Sequence, residues 1–288
     1  MKKALALILT ASLLTGVLTA CGSSEAQTDA AETTTEEAAA EETAAAEETA
    51  DTDAQAETGD LQVITVAATA VPHAEILEAA KPILAEQGYD LQVTVFDDYV
   101  QPNEVVEAGD IDCNYFQHIP YLNSYNEEGG THLVSVGEIH YEPIGIYAGT
   151  ESDLSNIPDG ADIAIPNDTT NEARALLILQ DNGIITLKEG AGIDATINDI
   201  AENPHNINFV EMEAAQVSKV LSEVAFAVIN GNYALDAGLN AQTDALASET
   251  SDSLAAQTYV NVVVVKEGNE DNEGVKALVN VLKSDDIK

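Results

Sequence analysis

From residue 61 onward the chain alternates between short apolar runs and segments whose apolar residues recur every three or four positions. The runs at 61–69 (LQVITVAAT), 91–96 (LQVTVF), 111–116, 132–137 and 143–147 predict strands. A second set follows at 162–165, 207–211, 226–230 and 259–266, the last (YVNVVVVK) apolar and β-branched enough for a strand buried on both faces. Between them, helical spacing predicts helices from Pro72 to Gly88, over 102–109, from Thr169 to Gly183, over 214–221 and over 274–283. Pro82 is expected to bend or interrupt the first of these, and Thr169-Thr170-Asn171-Glu172 has the form of a capping box for the third. Strand and helix alternate, so the expected class is α/β with mainly parallel sheets. Two such sets suggest two lobes, with ligand at the carboxyl ends of the strands.

The first 60 residues follow a different pattern. Lys2 and Lys3 precede an apolar run from Ala4 to Leu18, which closes on Leu18-Thr19-Ala20-Cys21. The run is short for a membrane span and has the flanks of an export signal. It also resembles a bacterial lipobox, which implies lipidation of Cys21 after cleavage and retention at a membrane by acyl chains. Residues 22–60 carry 13 acidic side chains, no basic one and no large apolar one, the composition of an unstructured tether. As a flexible coil it would span roughly 35 Å. The expected organisation is a signal peptide over 1–21, a tether over 22–60, a first lobe from 61–148 with 258–288, and a second lobe from 149–257. The crossovers between lobes are expected near 147–150 and 256–259.

Charge excludes some functions. The 288 residues hold 51 acidic and 10 basic side chains, a net charge of −41. With the tether acids and the two leader lysines set aside, 38 acidic and 8 basic groups remain. Nucleic-acid binding needs clustered Lys and Arg, and an anionic membrane surface would repel such a domain. Cys113 has no partner once Cys21 carries lipid, so it is expected as a buried free thiol. No nucleophile elbow, zinc-protease, P-loop or EF-hand motif is present, and the five histidines (73, 118, 132, 140 and 205) show no metal-ligand spacing. No cofactor and no metal are expected, and the chain is read as a non-enzyme. The one arginine, Arg174, falls near the start of a capped helix, where its fork and the helix N-terminus could hold a carboxylate. Tyr115, Phe116, His118, Tyr121 and Tyr125 crowd into eleven residues of a chain otherwise poor in aromatics.

Several blocks together resemble one family. They are Val71-Pro72-His73-Ala74-Glu75-Ile76-Leu77, Asp98-Tyr99-Val100-Gln101-Pro102-Asn103, Asn114 through Leu122 (NYFQHIPYL), Pro143-Ile144-Gly145-Ile146-Tyr147, Ile165 through Asn171 with Arg174, Val228 through Ala234, and Tyr259-Val260-Asn261. They stand in the order of the NlpA/MetQ lipoproteins, the methionine-binding components of ABC importers. The resemblance implies a two-lobe periplasmic-binding-protein fold, type II, with the ligand in the hinge cleft. It implies that Asn230 and Asn261 meet the amino and carboxylate ends of the ligand, and that Tyr99, Phe116 and His118 wall its side chain. Tyr115, Glu142 and Asn232 are further candidates, Glu142 for the ammonium. Cys113 stands where relatives usually carry a small residue. The chain stops at Lys288, about where many relatives continue into another helix, so either its last element is trimmed or the sequence is short of it.

The expected function is capture of methionine by a lipid-anchored monomer on the extracytoplasmic face, for delivery to an ABC permease and its ATPase. The nearest alternative is a methionine-containing dipeptide or another apolar amino acid in the same cleft. An enzyme on this lobe pair and a surface adhesin are the rivals of other classes.

Overall fold

The computed structural model describes residues 61–251 and 257–288; the leader, Cys21 and the tether lie outside the described residues. Among the described residues twelve strands are found: β1 (Gln62–Ala68), β2 (Tyr89–Val95), β3 (Cys113–His118), β4 (Leu133–Tyr141), β5 (Gly145–Ala148), β6 (Asp162–Pro166), β7 (Thr186–Leu187), β8 (Ile200–Glu202), β9 (Asn208–Met212), β10 (Phe226–Ile229), β11 (Ala245–Ser248) and β12 (Val260–Lys266). The α-helices are α1 (Glu75–Glu86), α2 (Gln101–Ala108), α3 (Ile119–Gly129), α4 (Thr169–Asp181), α5 (Ala214–Val217), α6 (Gly231–Asp236) and α7 (Glu273–Leu282).

The strands form two five-stranded sheets, ordered β2-β1-β3-β12-β4 and β11-β5-β10-β6-β9, and a small β7-β8 ribbon. Each large sheet carries a core on its faces. Ile64, Val66, Leu77, Leu84 and Tyr115 pack with Val263, Val265 and Leu278 in the first lobe. Ile146, Ile163, Ile165, Leu176, Leu179, Phe226 and Val228 pack in the second. Val262–Val265 and the whole of β10 are buried, which is why these segments read as unbroken apolar runs.

Both sheets are mixed rather than mainly parallel. Strands joined through helices pair in parallel, as β1 does with β2 and β3, and β6 with β9 and β10. Strands that enter a sheet from the other lobe run against their neighbours: β12 against β3 and β4, β5 against β10 and β11. β5 already belongs to the second sheet, so the chain first crosses between Tyr141 and Gly145, a few residues before the expected 147–150. It returns between Ser248 and Val260.

Local signals hold with two corrections. α1 runs through Pro82 without interruption, and Gly88, at φ 90°, turns the chain into β2. The cap of α4 is Asp168, one residue before the expected Thr169; its carboxylate accepts from the Asn171 amide at 3.0 Å, while Glu172 accepts from the Ile197 amide instead. Gly149, just after β5, sits against backbone. A Cβ there would lie 2.3 Å from the Val224 carbonyl and 2.7 Å from that of Leu221. Neither neighbour is a flexible side chain, so Gly149→Ala is expected to destabilise the fold by roughly 2 kcal/mol or more in a urea titration, with an unchanged slope.

Candidate functional site

The chain ends of β3, β10 and β12 converge where the two sheets face each other. A cavity there is lined by Tyr99, Phe116, His118, Glu142, Arg174, Asn230, Asn232 and Asn261. Eight of the nine ligand-site candidates from sequence therefore share one site. Tyr115 is the exception. It points to the opposite face of β3 from Phe116, into the first lobe's core, and its hydroxyl meets His140 Nδ1 at 2.5 Å. Gln117, Tyr121, Asn171 and Gly231, not singled out for this role, complete the wall. Tyr99 stacks against Phe116, Tyr121 and Tyr233 with ring centres 4.9–5.7 Å apart, an aromatic lining suited to an apolar or thioether side chain.

Arg174 projects from the second turn of α4 and is 3 % exposed. It is not a free guanidinium at a helix N-terminus. Its Nε and Nη2 donate to the Glu249 carboxylate at 3.0 and 2.5 Å, and Nη2 also donates to the Glu142 carbonyl at 2.7 Å. The guanidinium lies over the Tyr259 ring at 4.2 Å. Glu249 also accepts from the Tyr141 hydroxyl at 2.6 Å and the Ile144 amide at 3.1 Å. It thus joins the outgoing crossover to the returning one. Burial alone would raise the Glu249 carboxyl; the bonds and charge of Arg174 outweigh this and hold it below its usual range. Glu249 is 75 residues from Arg174, and nothing near it in the sequence separates it from the other acids.

Glu142 is held by two histidines. His140 Nε2 lies 2.6 Å and His73 Nε2 3.3 Å from its Oε1. His73 Nε2 is also 3.1 Å from Asn261 Oδ1. The Nδ1 atoms face hydroxyls, Thr69 at 2.8 Å from His73 and Tyr115 from His140. With the Thr69 hydroxyl donating to His73 Nδ1, His73 Nε2–H donates to Asn261 Oδ1, and His140 Nε2–H is the side-chain donor to Glu142. Burial keeps His73 below its ordinary pKa, and the histidines and Arg174 hold Glu142 lowered against its own burial. Among the described residues, His73, His140 and Glu142 are the one group whose ligand atoms converge as a metal site requires, all within 4.8 Å. The His140–Glu142 and His73–Asn261 hydrogen bonds already use those atoms, and an ion would have to break them.

Contacts across the cleft are direct. His118 Nε2 donates to Asn171 Oδ1 at 3.1 Å, Tyr99 donates to Asn232 Oδ1 at 2.6 Å, Tyr233 to the Asp97 carbonyl at 3.1 Å, and Thr169 to Glu128 at 2.8 Å. Asn171 Oδ1 also accepts from Asn230 Nδ2 at 2.7 Å. Asn230 Oδ1 is buried and has no hydrogen-bond partner among the described residues. A buried acceptor in this state carries a desolvation cost that a donor entering the cavity would relieve. The enclosed space is about 20 Å³, room for one water. A wider pocket of about 290 Å³ shares the Tyr99 and Tyr121 walls at the mouth.

Two mixed α/β lobes, crossed twice by the chain and closed on a polar cavity with an aromatic wall, are the architecture of periplasmic substrate-binding proteins. The chain belongs to the NlpA lipoprotein family, whose pattern matches residues 64–288. A crystal structure described as a lipoprotein from Ruminococcus gnavus is 67% identical, with a TM-score of 0.78 over 79% of this chain and 93% of that one. A nutrient-binding protein from Burkholderia cenocepacia, solved bound to methionine, is 42% identical, with a TM-score of 0.74 over 78% of this chain and 93% of that one. The methionine-binding lipoprotein MetQ of Bacillus subtilis is 40% identical over 237 residues, 81% of this chain and 85% of its own.

Proposed function

We propose that this protein is the lipid-anchored solute-binding component of an ABC importer and that its ligand is methionine. The observation that carries the reading is the composition of one buried cavity. A guanidinium, a carboxylate and an orphaned amide oxygen share its wall with Tyr99, Phe116 and His118. A free amino acid presents the complementary groups. Its carboxylate would take the Nη1 edge of Arg174, which Glu249 leaves open. Its ammonium would meet Glu142 and Asn230 Oδ1, with Asn261 and Asn232 alongside. Its thioether would lie against Tyr99, Phe116 and His118. The names of the relatives agree with this assignment.

The lobes are read as 61–141 with 258–288 and as 145–251, hinged at the two crossovers that Glu249 joins. The enclosed space is too small for methionine, so ligand must enter with the lobes parted and close them behind it. Binding and release, with no covalent step, is the proposed role. The Cys21 anchor and the acidic tether would place a monomer on the extracytoplasmic face beside a permease and its ATPase.

Titration calorimetry on protein unfolded, dialysed and refolded to remove carried ligand tests the assignment. L-Methionine is expected to bind at micromolar concentration or tighter, about −8 kcal/mol. Tight binding of a methionine dipeptide or another apolar amino acid, with none of methionine, would reassign the ligand within the same cleft.

A further inference from the structure

The charges in the cavity do not balance in the way one arginine suggests. Arg174 gives Nε and Nη2 to the Glu249 carboxylate, and both partners are nearly buried, with side chains 4 % and 10 % exposed. Together they are neutral. Glu142, on the cavity wall, has no Arg or Lys side chain bonded to its carboxylate among the described residues: its hydrogen bond comes from His140 Nε2 at 2.6 Å, and His73 Nε2 lies 3.3 Å away. Asn230 Oδ1, also on that wall, is an acceptor without a donor among the described residues. Of the groups not already paired, then, one is an anion and one an acceptor, and both ask for a cation with N–H bonds. The carboxylate end of a ligand meets an arginine whose charge is already offset.

We propose that Glu249 is a specificity-determining residue of this site: by pairing with Arg174 it leaves Glu142 as the carboxylate on the cavity wall with no arginine or lysine bonded to it, so that the ammonium of the ligand, more than its carboxylate, decides what is retained. This rests on the reading of the cavity as an amino-acid site and extends it to a substrate class, zwitterions and amines in preference to simple organic acids. Glu249 acts through Arg174. It is a positioning residue, set outside the cavity wall on the returning crossover.

Three ligands of nearly equal size separate the terms: L-methionine, L-methioninamide, which lacks the carboxylate, and 4-(methylsulfanyl)butanoate, which lacks the amine. At pH 8, above the ordinary imidazole range, the unaltered protein is expected to bind the amine-free acid on the order of 100-fold more weakly than methionine, since a buried charge is left unpaired. The amide should lose less. Glu249→Gln keeps the shape and removes the charge. In that variant the penalty on the amine-free acid should shrink about tenfold relative to methionine, because Arg174 is no longer offset. Glu249→Asp, which retains the charge, should keep the parent ratio. A loss of scaffold alone would weaken all three ligands alike and leave the ratios unchanged, and that result overturns the inference. So does an unaltered protein that binds the amine-free acid as tightly as the amide; this comparison decides the matter even if Glu249→Gln does not fold. If the unaltered protein binds none of the three, the amino-acid reading itself has failed, whereas methionine binding with the reverse ranking sinks only the inference.

Discussion

Arg174→Ala should weaken methionine binding in calorimetry by roughly 30-fold to several thousand-fold, and should also lower the melting temperature by on the order of 10 °C. The two effects have separate causes. Removing one partner of a buried, hydrogen-bonded charge pair typically costs about 2–5 kcal/mol in binding, roughly one and a half to three and a half powers of ten in Kd. The stability loss arises at Glu249. Without the guanidinium this carboxylate keeps the Tyr141 hydroxyl and the Ile144 amide but has no charge to offset its burial, a state worth roughly 3–5 kcal/mol. At about 2–4 °C per kcal/mol for a domain of this size, the shift follows. Arg174→Lys should fail similarly in binding, because one ammonium cannot span Glu249, the Glu142 carbonyl and a ligand from a single point. The double change Arg174→Met with Glu249→Leu separates the causes: an apolar pair should recover much of the melting temperature and none of the affinity. Methionine binding left unchanged by Arg174→Ala would remove the guanidinium from the site and with it the proposed orientation of the ligand.

That pair also shows where sequence reasoning ends. Strands such as Val262–Val265 and Phe226–Ile229 are legible because each buries nearly every side chain, so composition and burial coincide. α3 is not legible in the same way. Its cap is His118, whose Nδ1 accepts from the Tyr121 amide at 3.1 Å, and imidazole is outside the usual set of capping groups. The available sign was Gly130, which closes that helix at φ 63°. α6 begins on glycine and is six residues long, too short for a period to register. Within the site, Arg174 stood out by scarcity and the aromatics by clustering, and Asn230 and Asn261 came through the family resemblance. Glu249 had none of these marks: one acid among 51 becomes special only when two crossovers bring it to Arg174. His73, in the turn after β1, and His140, on β4, likewise meet only in the fold, from positions 67 residues apart, so no spacing rule could pair them. For Tyr115 the sequence leaves core and cavity equally open, for a simpler reason. Alternation along β3 sends it and Phe116 to opposite faces, and membership of an aromatic cluster does not say which face is the cavity.

The ligand-free protein should lose stability steeply as pH falls from about 6.5 to 4, a range in which most carboxylates are still ionised. The source is His118. Its Nδ1 accepts the Tyr121 amide and its Nε2 donates to Asn171, so it is held as the neutral Nε2–H tautomer. A second proton would go onto Nδ1 and face an N–H. Burial first, and then the nearby Arg174 charge, push its pKa down to about 4; Asn171 and Glu249 oppose this and are outweighed. The sign follows from linkage. Between about 4 and the unfolded value near 6.5 the unfolded chain binds a proton that the native state refuses, so stability rises with pH through that window and is complete above it. A fully buried histidine displaced this far contributes on the order of 3 kcal/mol across the window. His73, lowered by burial, acts in the same direction. Asp168, raised by its burial, acts in the opposite one, and Glu142 and Glu249, both lowered, add further loss below about 4.3. Calorimetric melts at half-unit steps from pH 8 to 4 should therefore be flat at the top and fall below 6.5. His118→Gln, whose amide can still donate to Asn171 but cannot titrate, should lower the plateau slightly and flatten the fall, leaving the smaller slope of His73. A variant with the parent's slope would place the acid sensitivity elsewhere. Because His118 donates from β3 to a helix of the opposite lobe, the same proton should weaken the closed state, and methionine affinity is expected to decline over the same pH range.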